Sequence, residues 1–390
     1  MIRARRTPTA LLLAAAALTA SAAAAVPATA VVADVRFAIP RPTGLYHVGR
    51  DTLHLVDTGR PDPWVPTTAR ELMVSLYYPA RTGGSPAPYM TVDEARALLQ
   101  GQRLDTVLEP EQLAGVTTNA RQNARPIGGR HPLVMLSPGF SLNRATLTTL
   151  AEDLASRGYV VALVDHAHES FGTTFPGGRT LTCLACETIE NAPTDQAEKE
   201  LLGKAATVRA ADLSFVIDQL TRRSAPAWKH SRLIDPRRIG AAGHSLGGNA
   251  AASVMAADRR VRAGADLDGS FFAPVPPGGL GERPFLMLGT KAQHSPGSAD
   301  TTWSRDWPRL NGWKRWLTVA DAGHFTFIDL PVLGAQAGIT DPSAPLPGKR
   351  SGEITTAYVG AFFDQHLRDR PQPLLDGPST ANPEVTFHNP

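Results

Sequence analysis

Only two of the 390 residues are cysteine, Cys183 and Cys186. A zinc site would need two further ligands at a suitable spacing, and none stands near them. A redox C-x-x-C ordinarily opens a helix at the end of a strand, whereas Thr180 to Cys186 reads as a loop. In an exported protein a local disulfide is therefore the expectation. The chain also lacks a charge excess once its start is set aside. Lys and Arg number 39 against 36 Asp and Glu, and residues 1–30 hold three of the arginines and no acid. The remainder is balanced, which argues against nucleic acid or an anionic membrane as an electrostatic partner. No internal repeat, heptad array or long low-complexity linker divides the chain. The roughly 360 residues after the start are enough for one large core, and residues 31–390 read as a single domain. Long apolar runs are missing too: Leu11 to Leu18 is too short and too rich in Ala to span a membrane.

That short run belongs instead to a secretory signal over residues 1–30. Arg3, Arg5 and Arg6 form its charged region, Leu11 to Leu18 its apolar region, and Ala28-Thr29-Ala30 a small-residue cleavage site. Thr7-Pro8 follows Arg5-Arg6 where a twin-arginine signal carries apolar residues, so ordinary export to the extracellular space is expected.

Beyond the signal, strands and helices alternate. Leu72 to Tyr78, Pro132 to Leu136, Tyr159 to Val164, Val261 to Leu267, Pro284 to Leu288 and Trp313 to Val319 read as strands. The continuous apolar runs suit parallel strands buried on both faces. Helical periodicity covers Ala145 to Arg157, Ala197 to Arg222 and Ile354 to Leu367. A capping box, Thr91-Val92-Asp93-Glu94, opens a further short helix. The order implies right-handed crossovers and a mostly parallel sheet flanked by helices, with its site outside the carboxyl ends of the strands. Two insertions, Thr82 to Arg130 and Glu169 to Thr194, lie beside that edge, where they would wall a pocket.

Gly243-His244-Ser245-Leu246-Gly247 falls between the short apolar segment Arg238 to Ala242 and the Ala-rich stretch Gly248 to Met255. A serine between two glycines at a strand-to-helix turn is the nucleophile elbow of α/β-hydrolases. The turn is too tight for side chains two residues either side of the serine. The hydroxyl then stands at a helix N-terminus, which favours developing negative charge.

A serine needs a base, and the base needs a group that holds its tautomer. His324 directly follows the last strand and is better placed than His244 within the elbow, His294 after the preceding strand, or His366 in the terminal helix. The acid ordinarily follows the penultimate strand, yet Lys291, Ala292, Gln293 and His294 stand there, with no carboxylate before Asp300. One strand earlier, Asp268 precedes Gly269, where the chain can turn. Asp268 is the choice, with Asp266 and Asp300 as alternatives; Asp321 is too close to His324 and reads as a turn former. The oxyanion donors should be the N–H groups of Leu246 and of the loop Ser137-Pro138-Gly139-Phe140-Ser141. Pro138 has no N–H, so Phe140 is preferred and Gly139 is the alternative. His166-Ala167-His168-Glu169 lacks a third ligand cluster and reads as a loop or pocket rim rather than a metal site.

These residues resemble those of the bacterial relatives of the secreted platelet-activating-factor acetylhydrolases, within the lipase and esterase group of α/β-hydrolases. The likeness covers most of residues 70–368. It rests on Gly243 to Gly248, on Leu267-Asp268, on a histidine in the final strand's loop, on the apolar–Ser-x-Gly segment, and on Leu154 to Tyr159 leading into a strand. In that family the acid does come one strand early. The resemblance thus implies Ser245, Asp268 and His324 as a triad, with Phe140 and Leu246 as oxyanion donors. Pro138 departs from the family, which usually has a histidine there, and Ser137 to Phe140 is similar to the cutinases and polyester hydrolases.

The expectation is a secreted serine ester hydrolase working through an acyl-enzyme, with no metal or other cofactor. Its partner would be a small-molecule or lipid ester, first among them short-acyl and acetylated phospholipid esters, with transient contact at a lipid interface. A cutinase-like lipase is the alternative enzyme, and an inactive hydrolase fold used for binding is the alternative of another class.

Overall fold

A computed structural model describes residues 35–388. The signal assigned to residues 1–30 lies outside them. An eleven-stranded sheet carries the architecture. Its main strands are β1 (His47–Pro61), β2 (Ala69–Ala80), β3 (His131–Ser137), β4 (Val160–His166), β5 (Ile234–His244), β6 (Val261–Leu267), β7 (Phe285–Thr290), β8 (Lys314–Val319) and β9 (Val385–His388). They lie in the order β9-β8-β7-β6-β5-β3-β4-β2-β1, with Arg121–Gln122 and Ser85–Pro86 extending the β1 edge. From β4 through β8 every pairing is parallel. Among these nine strands β2 and β9 run opposite to the rest.

The flanking helices used below are α1 (Val92–Gly101), α2 (Thr148–Ser156), α3 (Asp195–Thr221), α4 (Leu246–Ala257) and α5 (Gly348–Arg368). Strands β3 and β4 are buried at nearly every position because both faces are covered. On one face Val134, Leu136 and Val161 pack with Leu150 and Leu154 of α2 and Phe362 of α5. On the other, Met135 and Ala162 pack with Leu213, Val216 and Ile217 of α3 and Met255 of α4.

Several boundaries differ from the sequence reading, each for a local reason. The helix expected from Ala145 starts as a 3-10 turn, Arg144–Leu147, capped by Asn143. It becomes α-helical at Thr148, where the Asp329 carboxylate accepts the Thr148 and Thr149 N–H groups. Thr194 accepts from Ala197 N–H and moves the start of α3 to Asp195. The terminal helix begins six residues before the expected Ile354, directly after Pro347. The cysteine segment, expected as loop, contains the helix Leu184–Glu190 with Cys183 at its N-cap, after the short strand Thr180–Leu181. Its sulfur accepts the Cys186 N–H, an N-cap role that apolar periodicity does not reveal. No helix among the described residues is long and apolar enough to cross a membrane.

Candidate active site

Ser245 sits between β5 and α4 with φ 56° and ψ −126°, a strained backbone for a residue bearing a side chain. Its neighbours explain how the strain is held. A Cβ on Gly243 would lie 2.3 Å from the Gly247 carbonyl carbon, and one on Gly247 would lie 2.0 Å from the Ser137 oxygen. Only hydrogen fits at both places. Ser245 N–H donates to Leu267 O at 2.8 Å, tying the elbow to the end of β6.

One residue past Leu267, Asp268 also takes a positive φ, 59°. Its N–H bonds Leu288 O at 3.0 Å, and one carboxylate oxygen accepts Thr290 N–H at 2.6 Å. The other meets His324 Nδ1 at 2.7 Å, and His324 Nε2 lies 3.0 Å from Ser245 Oγ. Burial alone would raise the Asp268 pKa, but His294, His324 and the Thr290 N–H outweigh it and hold the carboxyl at about 2. An ionised Asp268 fixes the His324 proton on Nδ1 and leaves Nε2 facing the hydroxyl. The three groups can therefore pass the serine proton to the imidazole while the carboxylate balances the charge that forms.

His324 opens the 3-10 turn His324–Phe327 beyond β8. His244 holds that turn: its Nε2–H donates to the His324 carbonyl at 2.7 Å, and the two rings lie 4.6 Å apart. Burial, then the nearby His324, pushes the His244 pKa down to about 3, so it remains a neutral donor.

Neither alternative carboxylate meets His324. Asp266 is fully buried within β6, where burial and then the Asp268 charge push its pKa well up, and it accepts Gly269 N–H at 2.9 Å. Asp300 accepts from Ser270 Oγ and lies 3.8 Å from His294 Nδ1. Asp321 takes φ 58° in the turn after β8, the role expected for it.

Phe140 and Leu246 both line the cleft beside Ser245, as does Gly139. Among the backbone hydrogen bonds of the described residues, neither the Phe140 nor the Leu246 N–H is spent within the protein. Both are thus free to face a developing oxyanion.

The cleft measures about 530 Å³. Phe140, Phe272, Phe325 and Leu202 supply apolar walls, with Lys199 and Asp300 among its polar residues. The two insertions do not line it, contrary to the sequence reading. Residues of the first instead pack beneath the following segment: a Cβ on Gly101 would lie 2.3 Å from the Phe171 ring. The second acts from behind, where the bonded pair Cys183–Cys186 packs with Trp64, Phe140 and Phe171.

His166 and Glu169 are buried rather than on a rim. His166 contacts Ser137 and Asp212, and Glu169 pairs with Arg70 and Arg209. Sequence reasoning missed Arg70, Arg209 and Asp212, because nothing in the local sequence links them. It also missed that His294 lies 3.5 Å from Asp268. Among the described residues no group of three or more His, Cys, Asp and Glu could hold a metal ion.

This sheet and elbow define an α/β-hydrolase. The family model described as platelet-activating factor acetylhydrolase, isoform II, matches residues 31–182. A probable 1-alkyl-2-acetylglycerophosphocholine esterase of Arthroderma benhamiae is 30% identical over 385 residues, covering 90% of this chain and 94% of its own. The platelet-activating factor acetylhydrolase of Cavia porcellus is 23% identical over 270 residues, 62% of this chain and 58% of its own. Among solved structures, a ferulic acid esterase from Streptomyces cinnamoneus is 43% identical and covers 90% of this chain and 99% of that one, with a TM-score of 0.78. The chain belongs to the platelet-activating factor acetylhydrolase, isoform II, family. It is a serine ester hydrolase.

Proposed function

We propose that Ser245 is the nucleophile, His324 the base and Asp268 the acid of a carboxylic-ester hydrolase that works through an acyl-enzyme. The single observation that carries this reading is the unbroken Ser245–His324–Asp268 chain, 3.0 and 2.7 Å between successive groups. His324 takes the Ser245 proton as the hydroxyl attacks the ester carbonyl, then delivers it to the leaving alcohol. Water, deprotonated by the same imidazole, releases the acid and restores Ser245. The N–H groups of Phe140 and Leu246 stabilise the two tetrahedral intermediates.

The substrate reading follows the relatives: small or lipid esters with a short acyl group, of the acetylated glycerophosphocholine type. A second reading has its own support. The relative of 43% identity is a ferulic acid esterase, and a cleft of about 530 Å³ with three phenylalanines suits a flat aromatic acyl group. Residues 1–30 are proposed to export the chain, and residues 31–390 to act as one domain outside the cell.

A fluorophosphonate probe should label Ser245 alone, and Ser245→Ala should abolish turnover while leaving the thermal transition in place. Labelling at another serine would overturn the assignment. A series of acetyl, butyryl, decanoyl and feruloyl esters decides the substrate. Highest kcat/KM on acetyl or butyryl esters supports the first reading, and a maximum on feruloyl supports the second. A maximum at decanoyl, or attack on an insoluble polyester, would favour a cutinase-like enzyme.

A further inference from the structure

A second serine–histidine–aspartate chain lies behind the elbow. Ser137 Oγ is 3.0 Å from His166 Nε2, and His166 Nδ1 is 2.8 Å from Asp212. The order of groups and the distances nearly repeat those at Ser245. The surroundings do not. Ser137, His166 and Asp212 are 0, 2 and 0% exposed, and none of them lines the cleft. No ester carbonyl can reach the Ser137 hydroxyl.

What this chain does touch is the loop that carries the Phe140 N–H. Ser137 begins that loop. Pro138 O, its next carbonyl, accepts from Arg209 at 2.6 Å, and Arg209 is one turn before Asp212 on α3. Ser141 closes the loop: its N–H donates to Glu169 O and its carbonyl accepts Phe171 N–H, both at 2.9 Å. Glu169 pairs through its side chain with Arg209 at 2.7 Å and with Arg70 at 2.7 Å, and Arg70 reaches Asp212 at 2.7 Å. Ser137, Pro138 and Ser141 are thus fastened to one sealed ionic cluster, and the peptide that presents Phe140 N–H is bracketed between fixed points.

The protonation states fit a holding role. Burial favours neutral His166 and lowers its pKa. Burial would raise the Asp212 pKa, but Arg70 and His166 outweigh it and keep the carboxylate ionised. His166 Nδ1–H therefore donates to the Asp212 carboxylate, and Nε2 accepts the Ser137 O–H. The tautomer that would activate an exposed serine here anchors a buried one.

We infer that Ser137, His166, Asp212 and Arg209 are positioning residues for the oxyanion hole, acting through the backbone of residues 137–141. The inference rests on the assignment of Phe140 N–H as an oxyanion donor to the Ser245 acyl chemistry. Removing such a donor outright costs about 10²- to 10³-fold in kcat. A loosened loop should cost less, about tenfold for Ser137→Ala. Arg209→Lys keeps the charge but not the fork that spans Glu169 and Pro138 O, and should cost more than Ser137→Ala.

The test measures kcat per active site, titrated with a fluorophosphonate, alongside KM and the inhibition constant of an aryl trifluoromethyl ketone that mimics the tetrahedral oxyanion. Both variants should lower per-site kcat and weaken the ketone by the same factor, with KM held within about twofold. A purely structural role would reduce the fraction of titratable sites and leave per-site kcat unchanged. That result, a rise in KM with kcat unchanged, or probe attachment at Ser137 would overturn the inference. Wild-type labelling at a serine other than Ser245 or Ser137 would instead overturn the functional reading, and this inference with it.

Discussion

Ser245 and Asp268 both carry positive φ, and glycines two residues either side of Ser245 and directly after Asp268 make room for a backbone. A Cβ on Gly269 would lie 2.2 Å from the Ser245 carbonyl oxygen, so the segments carrying Asp268 and Ser245 are packed against each other through their main chains. Asp268→Asn should leave that packing intact and lower kcat by about four orders of magnitude, because the imidazole loses its tautomer. Asp300→Asn should remain within about tenfold, a ranking that steady-state kinetics of both variants checks. Asp266 behaves in the opposite sense to Asp268. Its folded pKa is raised, so its contribution to stability is complete below about pH 4 and is lost as pH rises towards the folded value. Asp266→Asn removes that dependence. Melting curves should show the variant gaining on the wild type as pH rises above about 4, whatever the constant offset between them.

At the scale of elements, the strands that carry the chemistry were legible and those at the sheet's edges were not. Strands β3 and β4 are apolar without interruption, and the histidine after β8 and the glycines around Ser245 are local signals. Strand β1 is interrupted every third residue by Asp51, His54, Asp57 and Arg60, and β9 has four residues. Neither offers a run that periodicity can separate from loop. The cluster behind the oxyanion loop was hidden for another reason: Asp62, Arg70, His166, Glu169, Arg209 and Asp212 meet only when four segments converge. The capping box at α1 was read from four residues and is present as a reciprocal pair, Thr91 with Glu94. Since α1 does not line the cleft, Thr91→Ala should lower unfolding free energy by about 1 kcal/mol. Its kcat/KM should stay at the wild-type value. Urea titration and kinetics on the same preparation test both parts.

For the whole molecule, the processed chain is expected to begin at Val31 and to carry the Cys183–Cys186 bond. Mass spectrometry of material exported by a producing cell should find that N-terminus and a linked, non-reduced peptide. An N-terminus retaining Arg3 to Arg6, or two free thiols, would refute the corresponding expectation. The balanced charge of residues 31–390 also predicts little long-range steering. The kcat/KM for a singly charged soluble ester should accordingly vary by less than about twofold between low and physiological salt.

Asp268, the proposed acid, lies just past the end of β6, which leaves the exit of β7 free of that role. The segment that follows His294 still contributes to the cleft wall, through Ala299 and Asp300. Within that segment Asp300 is tied to Ser270 and lies 3.8 Å from His294, itself 3.5 Å from Asp268, so this wall of the cleft is coupled to the proposed acid. A designer seeking a new acyl preference would therefore vary Ala299 and leave Asp300 in place.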